Sequence, residues 1–289
     1  MRNGILLGTR IALVVACAAD RAWAQIVTEN AGTVSPETPI WQTRFEYSKA
    51  ENVTDSRIVE TYFWAPNPTM DFALAIPVIH RDVDLGNGGD GRLEGIGDAT
   101  LRWKNSIWKL DDVMKSTRFS TLAGVKFPTG AWHDEVDGID VPRKLQLGTG
   151  AFGFYGGPLF TQIDDRHRFA VEAIGAYDLE HDGFRLQPSL RLGLAYWYRI
   201  FPERIEIAGR DTEVRGVFEL TSSFYGESDW RGQDQDDDGN ITWLSPGIQI
   251  YPSTRWLLEA SLQLPVIETL EDAQGDRKYG FLLSVKFLF

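Results

Sequence analysis

The chain has 289 residues, of which 41 are Asp or Glu and 29 are Lys or Arg, so its formal net charge at pH 7 is −12. This acidity argues against nucleic acid as a partner, because nucleic-acid-binding modules usually present a basic face. The mean hydropathy is −0.23, and no apolar run approaches the roughly 18 residues that a transmembrane helix needs. Yet there are 16 Phe, 10 Trp and 9 Tyr, many in short alternating segments, a combination typical of membrane-spanning β-barrels.

Residues 1–24 have the features of a secretory signal peptide. Two arginines supply positive charge, Ile11–Ala19 is an apolar run, and Ala22–Ala24 forms a small-x-small cleavage site. The alternative is a lipoprotein signal with lipidation at Cys17, which would leave a shorter apolar core. Cleavage after Ala24 removes the only cysteine, so the mature protein could use neither disulfides nor thiolate metal sites.

From residue 40 onward, apolar and polar residues alternate with a period of two, which predicts strands rather than helices. The last strand is the clearest case, since its odd-numbered residues from Tyr279 to Phe289 are all apolar or aromatic. An even number of strands places both chain ends on the periplasmic side of a barrel. We predict twelve strands, over Ile40–Tyr47, Arg57–Ala65, Met70–His80, Gly97–Trp108, Arg118–Pro128, Leu147–Thr161, His167–Leu179, Arg185–Ile200, Glu213–Tyr225, Ile241–Tyr251, Arg255–Val266 and Lys278–Phe289.

The connections tend to alternate between long, charged ones and short ones, as expected for the outer loops and periplasmic turns of a barrel. Two joints fit this scheme less well, because Glu180–Phe184 is short for an outer loop and Phe201–Thr212 is long for an inner turn. Ten or fourteen strands therefore remain alternatives. The predicted outer loops are Lys49–Ser56, Asp84–Leu93, Gly130–Lys144, Glu227–Asn240 and Glu268–Asp276, and the short turns are Pro66–Thr69, Leu110–Ser116, Ile163–Arg166 and Pro252–Thr254.

Alternation alone does not distinguish a soluble β-sandwich from a membrane barrel, because both have period two. Three features favour the membrane barrel. Aromatic residues crowd the strand ends, as at Trp41, Tyr62–Trp64 and Tyr196–Tyr198, where interfacial girdles form. The strands are long compared with the five or six residues common in globular proteins. The chain also ends on an aromatic residue, Phe289, which suits recognition of the last strand by the barrel-insertion machinery.

The polar face of each strand then predicts the lining of the lumen. These charges could form a salt-bridged filling that holds the barrel rigid, or a charged path for a solute. The candidate lumen-facing residues are Arg44, Glu46, Glu60, Asp98, Arg102, Lys104, Arg118, Lys126, Arg168, Glu172, Arg191, Arg199, Arg215, Glu219, Glu259 and Lys286.

Three segments, occurring in order, resemble motifs of a known outer-membrane family. Gly95–Leu101 resembles its GxGDxxL segment, Ala123–Gly130 its strand ending in PTG, and Leu145–Gly150 its LxLGTG segment. The family is the group of outer-membrane proteins associated with meta-pathway phenol degradation. The resemblance implies a β-barrel and the uptake of small, often aromatic, molecules.

One acidic loop resembles the first half of a calcium-binding loop. Asp234, Asp236 and Asp238 are spaced as DxDxDG, but Ser245 stands where the bidentate Glu of an EF-hand would be. The loop is either a solvated acidic turn or a weak Ca²⁺ site. We predict no other cofactor.

An enzyme is the rival class, since some outer-membrane barrels are lipases. Nucleophilic catalysis needs a base within reach of a nucleophile, but His80, His133, His167 and His181 fall in loops or at strand ends, and none accompanies a recognisable serine motif. We therefore expect no catalysis.

Residues 25–39 are mostly polar and precede the first strand, so they form either a disordered periplasmic tail or a plug in the lumen. The sequence as a whole predicts a signal peptide at 1–24, this segment at 25–39, and an all-β transmembrane antiparallel barrel at 40–289 in the outer membrane of a Gram-negative bacterium. The predicted function is passage of small solutes, aromatic or hydrophobic compounds among them. The predicted partners are outer-membrane lipid, the barrel-insertion machinery and the small-molecule solute. The alternative is a structural or binding barrel with a filled lumen.

Overall fold

The computed structural model describes residues 27–84, 90–136, 138–204, 212–269 and 274–289, so the predicted signal peptide lies outside the described residues. Within these ranges no helix is long and apolar enough to cross a membrane. Twelve long strands dominate. They are β1 (Ile40–Ala50), β2 (Val53–Asn67), β3 (Met70–Asp84), β4 in two segments (Asp90–Ile96 and Ala99–Asp112), β5 (Lys115–Phe127), β6 (Gly153–Asp164), β7 (His167–Asp178), β8 (Ser189–Phe201), β9 (Glu213–Tyr225), β10 (Gly239–Ser253), β11 (Trp256–Glu268) and β12 (Arg277–Leu288).

The strands form one closed antiparallel barrel, which confirms the predicted fold class and strand number. Each strand pairs with the next in sequence, and β12 pairs with β1 from Ile40 opposite Leu288 to Ala50 opposite Arg277. The two segments of β4 pair with the two halves of β3 and are separated by Gly97 and Asp98. Because β1 begins and β12 ends at the same end of the barrel, we call that end periplasmic and the other end outer.

Burial along the strands is the reverse of that in a soluble protein. On β8, Leu190, Leu192 and Leu194 point outward and are 42–49% exposed. On the inner face, Arg215 and Glu219 of β9 are 2% and 0% exposed. A soluble sandwich would bury the leucines and expose the charges, so this pattern identifies a barrel with lipid outside and a polar lumen inside.

Aromatic side chains form bands at both ends of the outer face, as predicted. At the periplasmic end, Trp41 lies 6.1 Å from Tyr62 between ring centroids, and Tyr62 lies 5.8 Å from Trp64. At the outer end, Tyr47 is 6.1 Å from Tyr279. Such amphipathic rings suit the level of the lipid headgroups.

Several predicted boundaries were wrong. The predicted loop Lys49–Ser56 is a two-residue turn, because β1 and β2 continue to Ala50 and from Val53. Of its polar residues, Asp55 faces the lumen opposite Arg81, and Thr54 and Ser56 lie on the outward face of the same strand. A polar run inside a membrane barrel therefore does not end a strand.

The predicted strand Leu147–Thr161 also begins later, at Gly153. Residues 128–152 instead form a connection that folds back into the outer half of the lumen. Its buried apolar residues pack against lumen-facing residues of β2, β3 and the first segment of β4. This cluster consists of Val136, Val141, Leu145 and Leu147 from the connection and Val53, Ile79, Val83 and Leu93 from the strands.

Candidate functional site: the lumen and the segment that crosses it

Most of the predicted lumen residues lie on the inner face, as the strand register shows. Many of them pair with one another: Arg191 Nε is 2.8 Å from Glu172, and Lys286 Nζ is 3.1 Å from Glu259. The residues on this face are Arg44, Glu46, Arg102, Lys104, Arg118, Lys126, Arg168, Glu172, Arg191, Arg199, Arg215, Glu219, Glu259 and Lys286.

Glu60 is a correction, because it lies on the outward face. It stands opposite Thr43 and Ile76, which also point outward, while its neighbours Val59 and Thr61 are the buried, inward residues. The Glu60 carboxylate accepts hydrogen bonds from Trp41 Nε1 at 2.7 Å and Thr43 Oγ1 at 2.9 Å. Its charge suggested the lumen, but the register of β2 excludes it.

Asp98 holds a loop rather than lining an open path. Its carboxylate accepts hydrogen bonds from the backbone N–H of Gly130 at 3.0 Å and from the backbone N–H and hydroxyl of Thr149, both at 2.9 Å. At Gly148, a Cβ would lie 2.6 Å from the carbonyl oxygen of Gly130. The three motifs found in the sequence therefore meet at one junction, which folds the 128–152 connection inward.

Residues 27–34 cross the lumen and are bound mainly through their backbone. The N–H groups of Val27 and Thr28 donate to the Glu219 carboxylate on β9 at 3.0 and 3.1 Å. The N–H of Glu29 donates to Glu172 on β7 at 2.6 Å. Acidic side chains of the wall thus satisfy the backbone donors of an irregular segment that belongs to no sheet.

The next residues of the segment reach the opposite part of the wall. The Ala31 N–H donates to Thr161 Oγ1 at 2.9 Å, and its carbonyl accepts from Ser120 Oγ at 2.5 Å. The Val34 N–H donates to Asp71 at 3.1 Å. Residues 27–34 therefore span from β9 to β3, and residues 35–39 return to the start of β1.

The wall is shaped to the segment as well as charged to match it. At Gly193 on β8, a Cβ would lie 2.9 Å from Thr28 Cγ2 and 2.6 Å from Glu172 Cγ. Val27 packs against a small inner cluster that includes Trp197, which is 2% exposed. Trp197 therefore faces the lumen and does not belong to the interfacial girdle in which the sequence placed it.

Glu29 makes the one side-chain ion pair of the segment. Both of its carboxylate oxygens lie 2.7 Å from Arg102 Nη1, and Arg102 Nη2 lies 3.0 Å from Asp71. Burial alone would raise the pKa of the Glu29 carboxyl, but Arg102, Lys104 and Arg191 together lower that pKa to about 2. Glu29 is therefore ionised while the segment is seated.

A cavity of about 190 Å³ lies beside the segment. Its wall combines cationic side chains with the rings of Phe63 and Tyr155, and the Arg102 guanidinium lies 5.2 Å from the centroid of Phe63. Sequence reasoning placed Phe63 in the interfacial girdle with Tyr62 and Trp64, which the structure corrects, and it did not identify Tyr155, Asp71, Ser120 or Thr161. Alternation along β3 is enough to put Asp71 on the polar face, but nothing local shows that it would meet the segment.

The outer loops interlock above the lumen. Lys144 pairs with Asp237, and Arg143 Nη2 lies 2.8 Å from Asp182. The Arg143 guanidinium lies between the rings of Trp132 and Trp230, at 4.7 and 5.9 Å from their centroids. These contacts tie three outer loops together.

The predicted calcium loop contains a short hairpin, Ser228–Trp230 paired with Gln233–Gln235. Across the described ranges of the chain, no three His, Cys, Asp or Glu side chains are grouped so that they could hold a metal ion. Ca²⁺ binding by Asp234, Asp236 and Asp238 stays a prediction that a titration would test.

The four histidines lie in three settings, because His133 and His181 both pack against the ring of Trp132. His80 faces Glu94 with 2.8 Å between Nδ1 and Oε1, and His167 Nδ1 shares a hydrogen bond with the Tyr196 hydroxyl. The ring of His181 packs edge-on against Trp132. The side chains that contact these histidines are therefore acidic or aromatic.

The sequence matches no protein-family model and no curated protein. Among solved structures, the fold is similar to the crystal structure of an outer-membrane channel from Pseudomonas putida F1, with a TM-score of 0.73 and 12% identity over 92% of this chain and 100% of that chain. The NanC porin has a TM-score of 0.49 and 9% identity, covering 86% of this chain and 98% of its own. LpxR from Salmonella typhimurium has a TM-score of 0.47 and 11% identity, covering 86% of this chain and 100% of its own. At such identities the similarity is one of fold, and the chain has the fold of bacterial outer-membrane β-barrels.

Proposed function

We propose that this protein is an outer-membrane channel for small solutes, with a lumen that residues 27–34 close at rest. The observation that carries the proposal is how the segment is held. Its contacts are hydrogen bonds between its backbone and side chains of the wall, one ion pair at Glu29, and the packing of Val27 and Ala31 against two small apolar clusters. Water can replace polar contacts of this kind, so the segment can leave the lumen without breaking the barrel wall.

Residues 35–39 join the segment to the start of β1 at the periplasmic end of the barrel. The segment can swing toward the periplasm about this connection. Its removal would join the cavity of about 190 Å³ to the space that residues 27–34 now fill. The 128–152 connection narrows the outer half, and it is anchored to Asp98 and Arg81, whose Nη1 donates to the Leu145 carbonyl at 2.9 Å.

A structural or binding barrel with a filled lumen is the second candidate. Pairing between charged side chains of the wall, such as Arg191 with Glu172, favours this second candidate. In that case the segment would be a permanent part of the core, and no variant of it would open a path.

The solute class and the partners follow from the sequence resemblance and the outer surface. The resemblance to the phenol meta-pathway family supports small, often aromatic, solutes. The apolar outer face supports lipid as the surrounding partner, and β12 with the exposed Phe289 supports recognition by the barrel-insertion machinery. The similarity in fold to an outer-membrane channel supports a protein without catalytic activity.

Liposome swelling tests the proposal. Protein purified from outer membranes is reconstituted with small neutral solutes of increasing size, and the full chain is compared with a variant lacking residues 25–39. Faster swelling in the deletion variant, with a size cut-off, supports a channel closed by the segment. Glu29→Arg places two cations together at Arg102 and should act in the same direction if the deletion does not fold. No swelling with either folded variant would overturn the proposal in favour of the filled barrel.

A further inference from the structure

We infer that the lumen contains a binding site for small organic carboxylates at Arg102, and that Glu29 occupies this site as an internal mimic of the solute. The inference rests on the proposed channel function and names the class of solute that would open it. The segment, in this view, is seated where the solute must pass.

Arg102 is built as an anion receptor. Its side chain is 9% exposed, and its Nη1 holds both oxygens of the Glu29 carboxylate at 2.7 Å. Asp71, which is fully buried, fixes the guanidinium from the other side at 3.0 Å, and Phe63 stacks on it at 5.2 Å. Because Nη2 is held by Asp71, the orientation of the guanidinium is fixed and its Nη1 donors point at one further carboxylate.

The cavity beside the ion pair selects for the same chemistry. Its charged lining residues are Arg44, Arg102, Lys104, Lys286 and Glu29. Glu29 is the one acid among these described lining residues, and it arrives on the segment rather than on the wall. When the segment leaves, Lys286 stays paired with Glu259 and Arg44 with Glu46. Arg102 and Lys104 then share the single carboxylate of Asp71, and this excess of positive charge favours an anion.

The size and the apolar part of the cavity narrow the class further. A volume of about 190 Å³ is below the roughly 300–1,000 Å³ that pockets for drug-sized ligands have. Phe63 and Tyr155 supply the apolar lining, and an aromatic ring stacks well on such faces. The site therefore fits a monocarboxylate with a small apolar body.

Exchange of one carboxylate for another leaves no buried charge unpaired. A solute carboxylate that takes the place of Glu29 keeps both Arg102 and Asp71 satisfied, whereas a neutral solute would leave Arg102 half-paired at a cost. Because solute and Glu29 compete for one guanidinium, neutralising Glu29 should tighten solute binding. It should not create the site.

The test measures binding of benzoate to the full chain in detergent by equilibrium dialysis, with benzamide as the neutral probe of the same shape. We expect Glu29→Gln to bind benzoate at least tenfold more tightly than the wild type and to bind benzamide at least tenfold more weakly than benzoate. Adding Arg102→Gln should abolish benzoate binding. Arg255→Gln, in an exposed turn, is the matched control and should change nothing.

Equal binding of benzoate and benzamide, or benzoate binding that survives Arg102→Gln, would overturn the carboxylate site. If Arg102→Gln does not fold, Arg102→Lys replaces it, because it keeps the charge and loses the planar fork, and it should weaken binding at least tenfold. Failure of these predictions together with swelling of the deletion variant would leave the channel standing and reject only the solute class. Absence of swelling would reject the channel itself.

Discussion

Neutralising Glu29 should release the segment. In Glu29→Gln the amide keeps the shape of the side chain but loses the charge that faces Arg102. The seated pKa of about 2, against an ordinary value of 4.5, corresponds to about 3 kcal/mol between the charged and neutral forms at 1.36 kcal/mol per unit. The fraction of molecules with an unseated segment should therefore rise roughly a hundredfold.

Thiol labelling measures this fraction. Thr28 is 1% exposed, so Thr28→Cys, in a chain with Cys17 replaced by Ala, should react with a maleimide only when the segment leaves the lumen. If opening is fast relative to labelling, the rate follows the population of the unseated form. We expect Glu29→Gln to accelerate labelling by one to two orders of magnitude.

Glu37→Gln is the matched control, because Glu37 lies in the same stretch of chain and is exposed. Its labelling rate should equal that of the parent. Equal rates for Glu29→Gln and Glu37→Gln would refute the assignment of Glu29 as the electrostatic anchor.

Three further predictions concern the titration of Glu29, the junction at Asp98 and the packing of β6 on β7. The lowered pKa of Glu29 stabilises the seated segment above about pH 4.5, and this stabilisation should be lost as the pH falls toward 2. Single-channel open probability should therefore rise over that window in the wild type, and it should start higher and rise less in Glu29→Gln. Asp98→Asn weakens three hydrogen bonds to a charged acceptor, each worth about 1.5–3 kcal/mol, so trypsin should cut the 128–152 connection faster. The control Asp140→Asn, at an exposed site in the same connection, should leave the rate of trypsin cleavage unchanged. Gly157→Ala would place a Cβ 1.8 Å from the Ala173 carbonyl oxygen, whereas Gly216→Ala would place one 3.4 Å from a flexible Ile200 methyl group. Gly157→Ala should therefore reduce the yield of folded barrel on gels, and Gly216→Ala should not. Equal yields would contradict the close packing of β6 on β7.

The sequence was sufficient for the wall of the barrel because the wall follows from local alternation. The apolar face from Phe281 to Phe287 and the polar face of β8 required only a period of two. The prediction of faces failed where charge replaced alternation as the criterion, as at Glu60. The prediction of strand ends failed where a strand continued through a polar run, as at Lys49–Ser56.

The inside of the barrel could not be predicted because it depends on contacts between distant parts of the chain. Val27 and Glu219 are 192 residues apart, and no local pattern links the N–H groups of one to the carboxylate of the other. The GxGDxxL, PTG and LGTG motifs did carry a signal, but its meaning needed the structure. Asp98 ties the three together in a structural junction, which sequence order alone does not reveal.

Single-channel conductance in a planar bilayer tests most directly whether the segment closes the lumen. The full chain and the variant lacking residues 25–39 are recorded under the same voltage and salt. We expect rare or no openings from the full chain and discrete steps from the variant. Steady, equal conductance from both proteins would contradict closure by residues 27–34, and silence from both would contradict the channel.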